Sequence, residues 1–587
     1  MALSLRLPVF TSLRGYRAGW LRGDVIAGLT VWAVLVPEAL AYASIAGVSP
    51  VVGLYAAPGA LILYAAFGSS KHLVVGPMAA TAALSAAAVG TVAAGNSGRF
   101  AALTATLAIT TGILALAAGL ARLGFLANFI SEPVLKGFIV GLALTIIIGQ
   151  VPKLLGIEKG SGDFFEQLWD VITRLGDSQW QTVIVGVLSL AVVLGLRRVA
   201  PVVPAPLVAV ALGILAVYAL NLQHHGVKIV GHIDSGLPSF GLPSVPAKDY
   251  LKLTGSAVGV MLVGFAEGLG AAKTYAARNG YQVSPNRELI GLGTANLASG
   301  LSSGMVVNGS LSKTAVNGSA GARTQLSGLV VAVLTILTLL FLTGLFEDLP
   351  EATLGAVVIA ALIELVDIAA LRALYRAYTK RLGQIYGPAA RADFIAAVAA
   401  MLGVLIFDTL PGLFIGIAVS LLLLLYRVSR PHVAVLGQVP GTSQWADVAQ
   451  HPEDETIPGV AILRAESGLF FANADHVRVT INEAATAEGI HAVVLDGETV
   501  PFVDVTAARM LDELTADLHR RGVRLVIARD VGQVRDVLAQ SGGAAVPEYF
   551  PSVRAAVDAV RADPADPAGQ VAGPTSVASP TSTVKET

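Results

Sequence analysis

Apolar runs recur from about Asp24 to Arg427, and they constrain the fold of this chain more than any other feature. A helix needs roughly 20 mostly apolar residues to cross a bilayer. The runs therefore predict an α-helical polytopic membrane protein. The fourteen predicted spans are 24–46, 51–68, 72–91, 100–120, 125–150, 181–197, 203–220, 254–273, 287–303, 306–320, 325–346, 352–367, 392–407 and 410–427.

Composition supports this class and excludes several others. Of the 587 residues, 54% are hydrophobic and 13% are charged, whereas about a quarter are charged in soluble proteins. The chain has no cysteine, which excludes disulfides, thiolate metal sites and cysteine catalysis. Its net charge of −1 indicates no nucleic-acid partner. We expect no cofactor and no metal, because the loop histidines His224, His225 and His232 have no carboxylate at ligand spacing.

Basic residues predict the orientation. They follow the even-numbered spans, so the positive-inside rule places both termini in the cytoplasm of a multi-pass cell-membrane protein. Residues 1–23 carry four arginines without the apolar core of a signal peptide, and we expect them to form a cytoplasmic N-terminal segment. The basic residues are Lys71, Arg122, Arg197, Arg198, Lys273, Arg278, Arg287, Arg323 and those from Arg372 to Arg391.

Two predicted spans share an irregular pattern. Residues 72–85 (HLVVGPMAATAALS) and 305–315 (MVVNGSLSKTA) each place a Val-Val pair before a glycine-containing break and a helix of small residues. This pattern indicates two short half-helices, which occupy corresponding positions if the spans divide into inverted repeats of seven and seven. The alternative is ordinary packing of small residues between membrane helices.

Three ionisable residues lie in apolar sequence within spans: Glu38 in the first, Glu267 in the eighth and Lys313 in the tenth. Such residues at membrane depth mark a transport pathway by default. They favour a transporter over a membrane-anchored signalling protein. We also expect Pro37-Glu38 to break the first span, and the glycines around Glu267 to interrupt the eighth.

The sequence beyond Arg430 has ordinary charge and alternates short strands with amphipathic helices, which predicts an α/β sandwich. The predicted boundaries are 24–430 for the transmembrane domain, 431–456 for a linker, 457–562 for the soluble domain and 563–587 for a disordered tail. Helices are predicted to begin near Ala474, Asp504 and Val531, with Asp504 as a helix cap. No catalytic constellation and no Gly-x-x-x-x-Gly-Lys-Ser/Thr loop occurs, so neither an enzyme nor a nucleotide-driven pump is indicated.

Four stretches together resemble the SulP/SLC26 anion transporter family: 20–29 (WLRGDVIAGL), 36–43 (VPEALAYA), 265–269 (FAEGL) and 309–327 (GSLSKTAVNGSAGARTQLS). The resemblance implies two inverted seven-span repeats, in which a core domain carries the substrate and moves against a gate domain. It also implies a homodimer and a cytoplasmic STAS domain, to which residues 457–562 are similar. In STAS regulators of the anti-sigma-antagonist type a hydroxyl beside the capping aspartate is phosphorylated, so Thr506 is a possible phosphosite beside Asp504.

The half-helix starts form the predicted substrate site. Backbone N–H groups near Ala79, Ala80 and Thr81, and near Ser310, Leu311 and Ser312, can hold a tetrahedral oxyanion. Lys313 adds positive charge where most of the family has Arg, without the bidentate fork; it could instead snorkel to an interface. Glu38 stands where Gln is common in the family, and it could contact substrate, carry a proton or only accept a hydrogen bond.

Glu267 is the predicted proton-coupling residue. An ionised carboxylate would repel the anion, and burial favours its neutral form, so a proton could enter with the substrate. A Glu267–Lys313 ion pair is the alternative, and proton arrival could then release Lys313. Sodium-dependent bicarbonate members have an Asp followed one turn later by a hydroxyl, but Ala271 stands there in this chain, which disfavours sodium. We predict proton-coupled sulfate symport by alternating access; the alternatives are a bicarbonate or C4-dicarboxylate transporter and, less favoured, a STAS-based signalling protein.

Overall fold

The computed structural model describes residues 9–93, 97–125, 131–160, 162–200, 203–233, 235–363, 365–377, 390–407, 409–540 and 548–562. The chain forms two compact units. The first lies within Met1–Tyr378 and Arg391–Leu421, and the second within Thr379–Ala390 and Leu422–Thr587.

Helices, most of them apolar, make up most of the first unit, and the last of them continues into the second. They are α1 (Leu21–Ile45), α2 (Pro50–Phe67), α3 (Ala79–Ala93), α4 (Ser97–Leu120), α5 (Glu132–Leu155), α6 (Phe164–Thr173), α7 (Trp180–Val199), α8 (Ala205–Leu220), α9 (Ala247–Arg278), α10 (Pro285–Leu301), α11 (Leu311–Ser319), α12 (Leu326–Phe341), α13 (Glu351–Ile363), α14 (Ile368–Arg376), α15 (Ala392–Phe407) and α16 (Thr409–Ser429). Short 3-10 helices occupy Thr11–Leu13, Ala18–Trp20, Leu175–Asp177, Leu222–His225 and Thr343–Phe346.

Each predicted span overlaps one of these helices. Within the described residues, eight helical segments are long and apolar enough to cross a membrane, and four further apolar helices are shorter. The helical membrane fold is therefore as expected. The count of fourteen crossings stays a prediction.

The expected breaks in the first and eighth spans are wrong. α1 runs through Pro37 without interruption, and α9 is a continuous helix of 32 residues that contains Gly264, Gly268 and Gly270. Proline removes one backbone donor and glycine weakens a helix, but neighbouring helices make both tolerable within a membrane protein. Gly264 and Gly268 serve close packing instead, because a Cβ on either would lie 3.2 or 3.1 Å from the side chain of Asn308, whereas a Cβ on Gly270 would meet nothing within 4 Å.

The two predicted half-helices are present and meet at a short antiparallel ladder. Strand β1 (Val74–Gly76) precedes α3, and strand β2 (Asn308–Ser310) leads directly into α11. Val74 pairs with Ser310 and Gly76 with Asn308. Because the strands are antiparallel, the two helices depart from opposite ends of a ladder only about 7 Å long. Both helix N-termini therefore lie close to one point inside the unit.

The second unit is built on one mixed sheet. Its strands are β3 (Val433–Gln438), β4 (Trp445–Asp447), β5 (Val460–Ala465), β6 (Ala492–Asp496), β7 (Arg524–Ala528) and β8 (Glu548–Phe550), in the order β4-β3-β5-β6-β7-β8. Its helices are α17 (Ala474–Ala485), α18 (Val505–Arg520), α19 (Gly532–Gln540) and α20 (Val553–Ala562). Strands β5 to β8 are parallel, whereas β3 is antiparallel to its neighbours.

Apolar residues cover both faces of this sheet. One core joins the strands to α17, α18 and α19, and the other joins them to α20. The predicted α/β sandwich and the three predicted helix starts agree with this arrangement. β3 and β4 lie in segment 431–456, predicted as a linker, and extend the sheet. The tail 563–587 lies outside the described residues, and the domain boundaries stay predictions.

Candidate functional site

Lys313 lies at the start of α11, and its side chain is only 1% exposed. Its Nζ is 2.7 Å from Oε2 of Glu38 and donates a hydrogen bond of 3.1 Å to the carbonyl oxygen of Pro77. The same nitrogen lies 5.1 Å from the centroid of the Tyr42 ring, within the range of a cation–π contact. The ammonium group is therefore enclosed by α1, α11 and the turn that leads into α3, and it does not snorkel to an interface.

Glu38 is the acidic partner of Lys313. Its side chain is 4% exposed, and Oε2 accepts no hydrogen bond of normal geometry despite the short distance to Nζ. The contact is thus an ion pair defined by proximity. The alternative ion pair between Glu267 and Lys313 is not formed, because the carboxylate beside the lysine is that of Glu38 on α1. A sequence cannot reveal which of two buried acids faces a cation, since that depends on how the helices pack.

Glu267 is connected to β2 through Asn308. Nδ2 of Asn308 donates to Oε2 of Glu267 at 3.3 Å, and Oδ1 of the same amide accepts from the Gly309 N–H at 2.7 Å. The Glu267 side chain is half-buried. A change in its protonation would thus alter the hydrogen bond that connects it to β2, the strand that leads into α11. Sequence reasoning assigned no role to Asn308, although its place beside Gly309 in the 305–315 pattern was a usable signal.

The two half-helix starts differ in their side chains. At α11, Ser310 is the N-cap: its Oγ accepts from the Lys313 N–H at 3.3 Å and lies 3.1 Å from Oγ of Ser312. Ser310 is 1% exposed, whereas Leu311 is 55% exposed, and Ser312 is also exposed.

At α3, the buried residues Ala79 and Ala80 offer only backbone groups. The hydroxyl of Thr81 donates to the Met78 carbonyl within its own turn, at 3.3 Å. The polar side chains of the site are therefore concentrated on the α11 side of the ladder.

Buried amides and hydroxyls hold this irregular backbone in place. The amide of Asn296 makes two bonds to Val307, with Nδ2 donating to the carbonyl at 2.9 Å and Oδ1 accepting from the N–H at 3.0 Å. Thr314 Oγ1 accepts from the Val74 N–H at 3.1 Å, and Gln325 Nε2 donates to the Leu73 carbonyl at 2.9 Å. Backbone groups that lack partners in helices are thus paired within an apolar unit.

Asp504 caps α18 in the second unit. Its Oδ1 accepts from the Ala507 N–H at 2.8 Å, and its Oδ2 accepts from the Phe471 N–H at 2.9 Å. Thr506 is exposed in the first turn of the same helix. The capping geometry is complete without any modification, and phosphorylation of Thr506 stays a prediction.

Comparison with known proteins identifies the family. The model of the sulfate permease family matches residues 21–383, and that of the STAS domain matches residues 451–556. The chain belongs to the sulfate permease family. A protein of Mycobacterium tuberculosis named "Probable sulfate transporter" is 38% identical over 534 residues, which cover 90% of this chain and 93% of that protein. Sulfate transporter 1.3 of Arabidopsis thaliana is 33% identical, over 89% of this chain and 81% of its own.

Two solved structures resemble this chain in fold, one over nearly its whole length and one over about two thirds of it. The murine solute carrier 26 family member A9 anion transporter, in its inward-facing state, has a TM-score of 0.85 at 23% identity and covers 95% of this chain and 94% of its own. The transmembrane domain of a cyanobacterial bicarbonate transporter has a TM-score of 0.59 at 22% identity and covers 68% of this chain and 98% of its own. The protein is thus a multi-pass membrane protein of the sulfate permease family with a C-terminal STAS domain.

Proposed function

We propose that this protein is a secondary active transporter that takes up sulfate by alternating access, in symport with protons. Family membership supports anion transport, and two relatives that match most of the chain are named sulfate transporters. The proposal does not require an enzymatic step.

The observation that carries the proposal is the buried cation beside two helix N-termini. A helix N-terminus presents unpaired N–H groups and the positive end of the helix dipole to an anion. The β1–β2 ladder brings the starts of α3 and α11 together, and Lys313 adds a full positive charge that is 1% exposed. A divalent oxyanion that loses its water shell would find donors and charge at this point. We therefore propose that sulfate binds between Thr81 and Ser310, with contacts from Ala79, Ala80, Leu311 and Ser312.

Glu267 supports coupling to protons. It lies one hydrogen bond from Asn308 at the end of the ladder, close enough for its charge to oppose a bound anion. Protonation removes that repulsion, so proton and anion would favour each other's binding, as linkage requires. Ala271, one turn later in α9, has no side-chain oxygen with which to hold sodium.

We also propose a homodimer with both termini and the STAS domain in the cytoplasm. The distribution of basic residues supports this orientation, and the family resemblance supports the dimer. Protease access to the STAS domain in sealed right-side-out vesicles tests the orientation. Mass measurement of the detergent-solubilised protein tests the dimer.

The direct test is uptake into proteoliposomes. Radiolabelled sulfate, bicarbonate and fumarate are offered separately, each under an inward proton gradient, an inward sodium gradient or no gradient, with protein-free liposomes as the control. We expect sulfate to accumulate when a proton gradient is imposed, and sodium to add nothing. Accumulation of bicarbonate or fumarate in place of sulfate would assign the protein to the alternative substrates, and sodium dependence would overturn the coupling proposal.

A further inference from the structure

Glu38 and Glu288 are two buried carboxylates of the first unit with very different surroundings. Glu288 is fully buried and accepts four hydrogen bonds: from Tyr64 OH at 2.7 Å, from Ser69 N at 2.8 Å, from Ser69 Oγ at 2.6 Å and from Ser70 N at 3.0 Å. Glu38 has the Nζ of Lys313 at 2.7 Å, and its Oε2 accepts no hydrogen bond of normal geometry. The carboxylate of Glu288 is thus surrounded by four neutral donors. The carboxylate of Glu38 instead faces a single cation, the ammonium group of Lys313.

Few other charges surround Glu38. The helices packed against α1 are α2, α3, α8, α11, α12 and α13. Within the described residues, Lys313 is the one Lys or Arg on these six helices. The remaining titratable groups there are Tyr55 and Tyr64 of α2, Tyr218 of α8 and Glu351 of α13, and α3 and α12 have none. On α1 itself, Tyr42 lies under Nζ, and Arg22 and Asp24 lie in the first turn, where Asp24 accepts from the Arg323 N–H at 2.6 Å.

We infer that Glu38 is an internal counter-ion of Lys313, which a divalent anion displaces as Glu38 takes up a proton. This inference rests on the proposed function. While Glu38 is ionised, it cancels the charge of the lysine that the anion needs. An anion at the half-helix starts would compete with the carboxylate for Nζ, and the carboxylate would then be a buried charge without a partner, which protonation relieves.

The charges balance when Glu38 and Glu267 each take up one proton. Without substrate, ionised Glu38, Lys313 and ionised Glu267 sum to −1. With bound sulfate, neutral Glu38, Lys313 and neutral Glu267 again sum to −1. The loaded and unloaded forms therefore carry the same charge across the membrane, and each sulfate enters with two protons. Transport would be electroneutral, and each pH unit would support a sulfate ratio of about 100-fold, since each proton contributes a factor of about ten.

Proton uptake on binding tests the inference without requiring transport. The purified full-length protein is titrated with sulfate by calorimetry, in buffers of different ionisation enthalpy and across a pH series. We expect a maximum of about two protons taken up per sulfate by the wild type and about one by Glu38→Gln. The control is Glu132→Gln, which removes the carboxylate of another 2.7 Å Glu–Lys pair whose Glu side chain is 76% exposed. This variant should match the wild type.

Membrane potential gives a second readout in proteoliposomes. Wild-type uptake should be insensitive to a potassium-diffusion potential, whereas Glu38→Gln should move one net negative charge per cycle. Its sulfate ratio should then change about 50-fold per 100 mV.

An unchanged proton count and potential-insensitive uptake in Glu38→Gln would overturn the inference and leave the proposed function standing. A wild type that binds sulfate without any proton uptake would overturn the proposed proton coupling itself. If Glu38→Gln does not fold, the wild-type proton count decides: one proton per sulfate rejects the inference and two support it.

Discussion

The starts of α3 and α11 have similar backbones but different chemistry. Each helix follows a short strand, and the two strands form a single ladder. The α3 start carries Ala79, Ala80 and a Thr81 hydroxyl that bonds within its own turn, whereas the α11 start carries the Ser310 cap and Lys313. The comparison suggests that the two helices share the task of shaping the site. Charge and side-chain donors come from one of them.

The strongest way to break this comparison is to obstruct the α11 start. Ser310 is 1% exposed, so Ser310→Trp would place an indole where the anion is proposed to lie. We expect sulfate binding to fall by at least about 100-fold, which corresponds to about 2.8 kcal/mol. Titration calorimetry on the purified protein measures the loss. Ser319→Trp, at the exposed far end of α11, is the matched control, and near-normal binding by a folded Ser310→Trp protein would refute the location.

Removal of the charge from the α11 start should have the next largest effect. Lys313→Ala should weaken sulfate binding at every pH, because the fixed positive charge is lost. It should also lower the free energy of unfolding by about 3–5 kcal/mol, the usual effect of leaving one member of a buried ion pair alone. Lys313→Arg keeps the charge and should retain most of the binding.

The double variant Lys313→Ala/Glu38→Gln separates these two effects. It should recover most of the stability, because no buried charge is left unpaired, but it should not recover sulfate binding. Denaturant unfolding and sulfate titration measure the two properties on the same preparation. Recovery of sulfate binding in the double variant would show that Lys313 serves only to neutralise Glu38.

The next prediction concerns proton coupling through Glu267, which lies on α9, outside the two half-helices. Glu267→Gln imitates the protonated form, so we expect sulfate binding to be retained. The sulfate ratio that one pH unit supports should be about tenfold lower than in the wild type, because one proton fewer enters with each sulfate. Glu267→Gln combined with Glu38→Gln should abolish proton-driven accumulation and leave a flux that does not depend on pH. Proteoliposome uptake at a series of imposed pH gradients measures both. A double variant that still concentrates sulfate under a proton gradient would place the coupling residue elsewhere.

The smallest predicted effect compares the two hydroxyls directly. Ser310→Ala removes an N-cap, a change that usually costs about 1 kcal/mol, and it also removes a proposed ligand. Thr81→Ala removes a hydroxyl that bonds to the Met78 carbonyl but leaves the backbone donors of α3 in place. We expect sulfate affinity to fall about fivefold or more in Ser310→Ala and less than about twofold in Thr81→Ala. Equal losses would contradict the division of roles between the two helices.

The sequence predicted the parts of this fold that depend on local pattern. Apolar runs predicted where the helices lie, and the Val-Val-Gly pattern predicted both half-helices. Prediction from the sequence failed where the packing of helices decides the structure. Pro37 does not break α1, and the glycines near Glu267 do not break α9, because neighbouring helices let both continue. The partner of Lys313 is Glu38 for the same kind of reason, since the facing of two side chains from distant helices is not encoded in the spacing of either segment.

The position of the anion is the central claim, and a substrate-bound structure tests it most directly. Selenate is a suitable probe, because it has the charge and shape of sulfate and its selenium can be located by anomalous scattering. We predict a selenium position between the start of α3 and the start of α11, with an oxygen in hydrogen-bond reach of Ser310 and Glu38 withdrawn from Nζ of Lys313. A selenium position more than a side-chain length from both Thr81 and Ser310 would contradict the account.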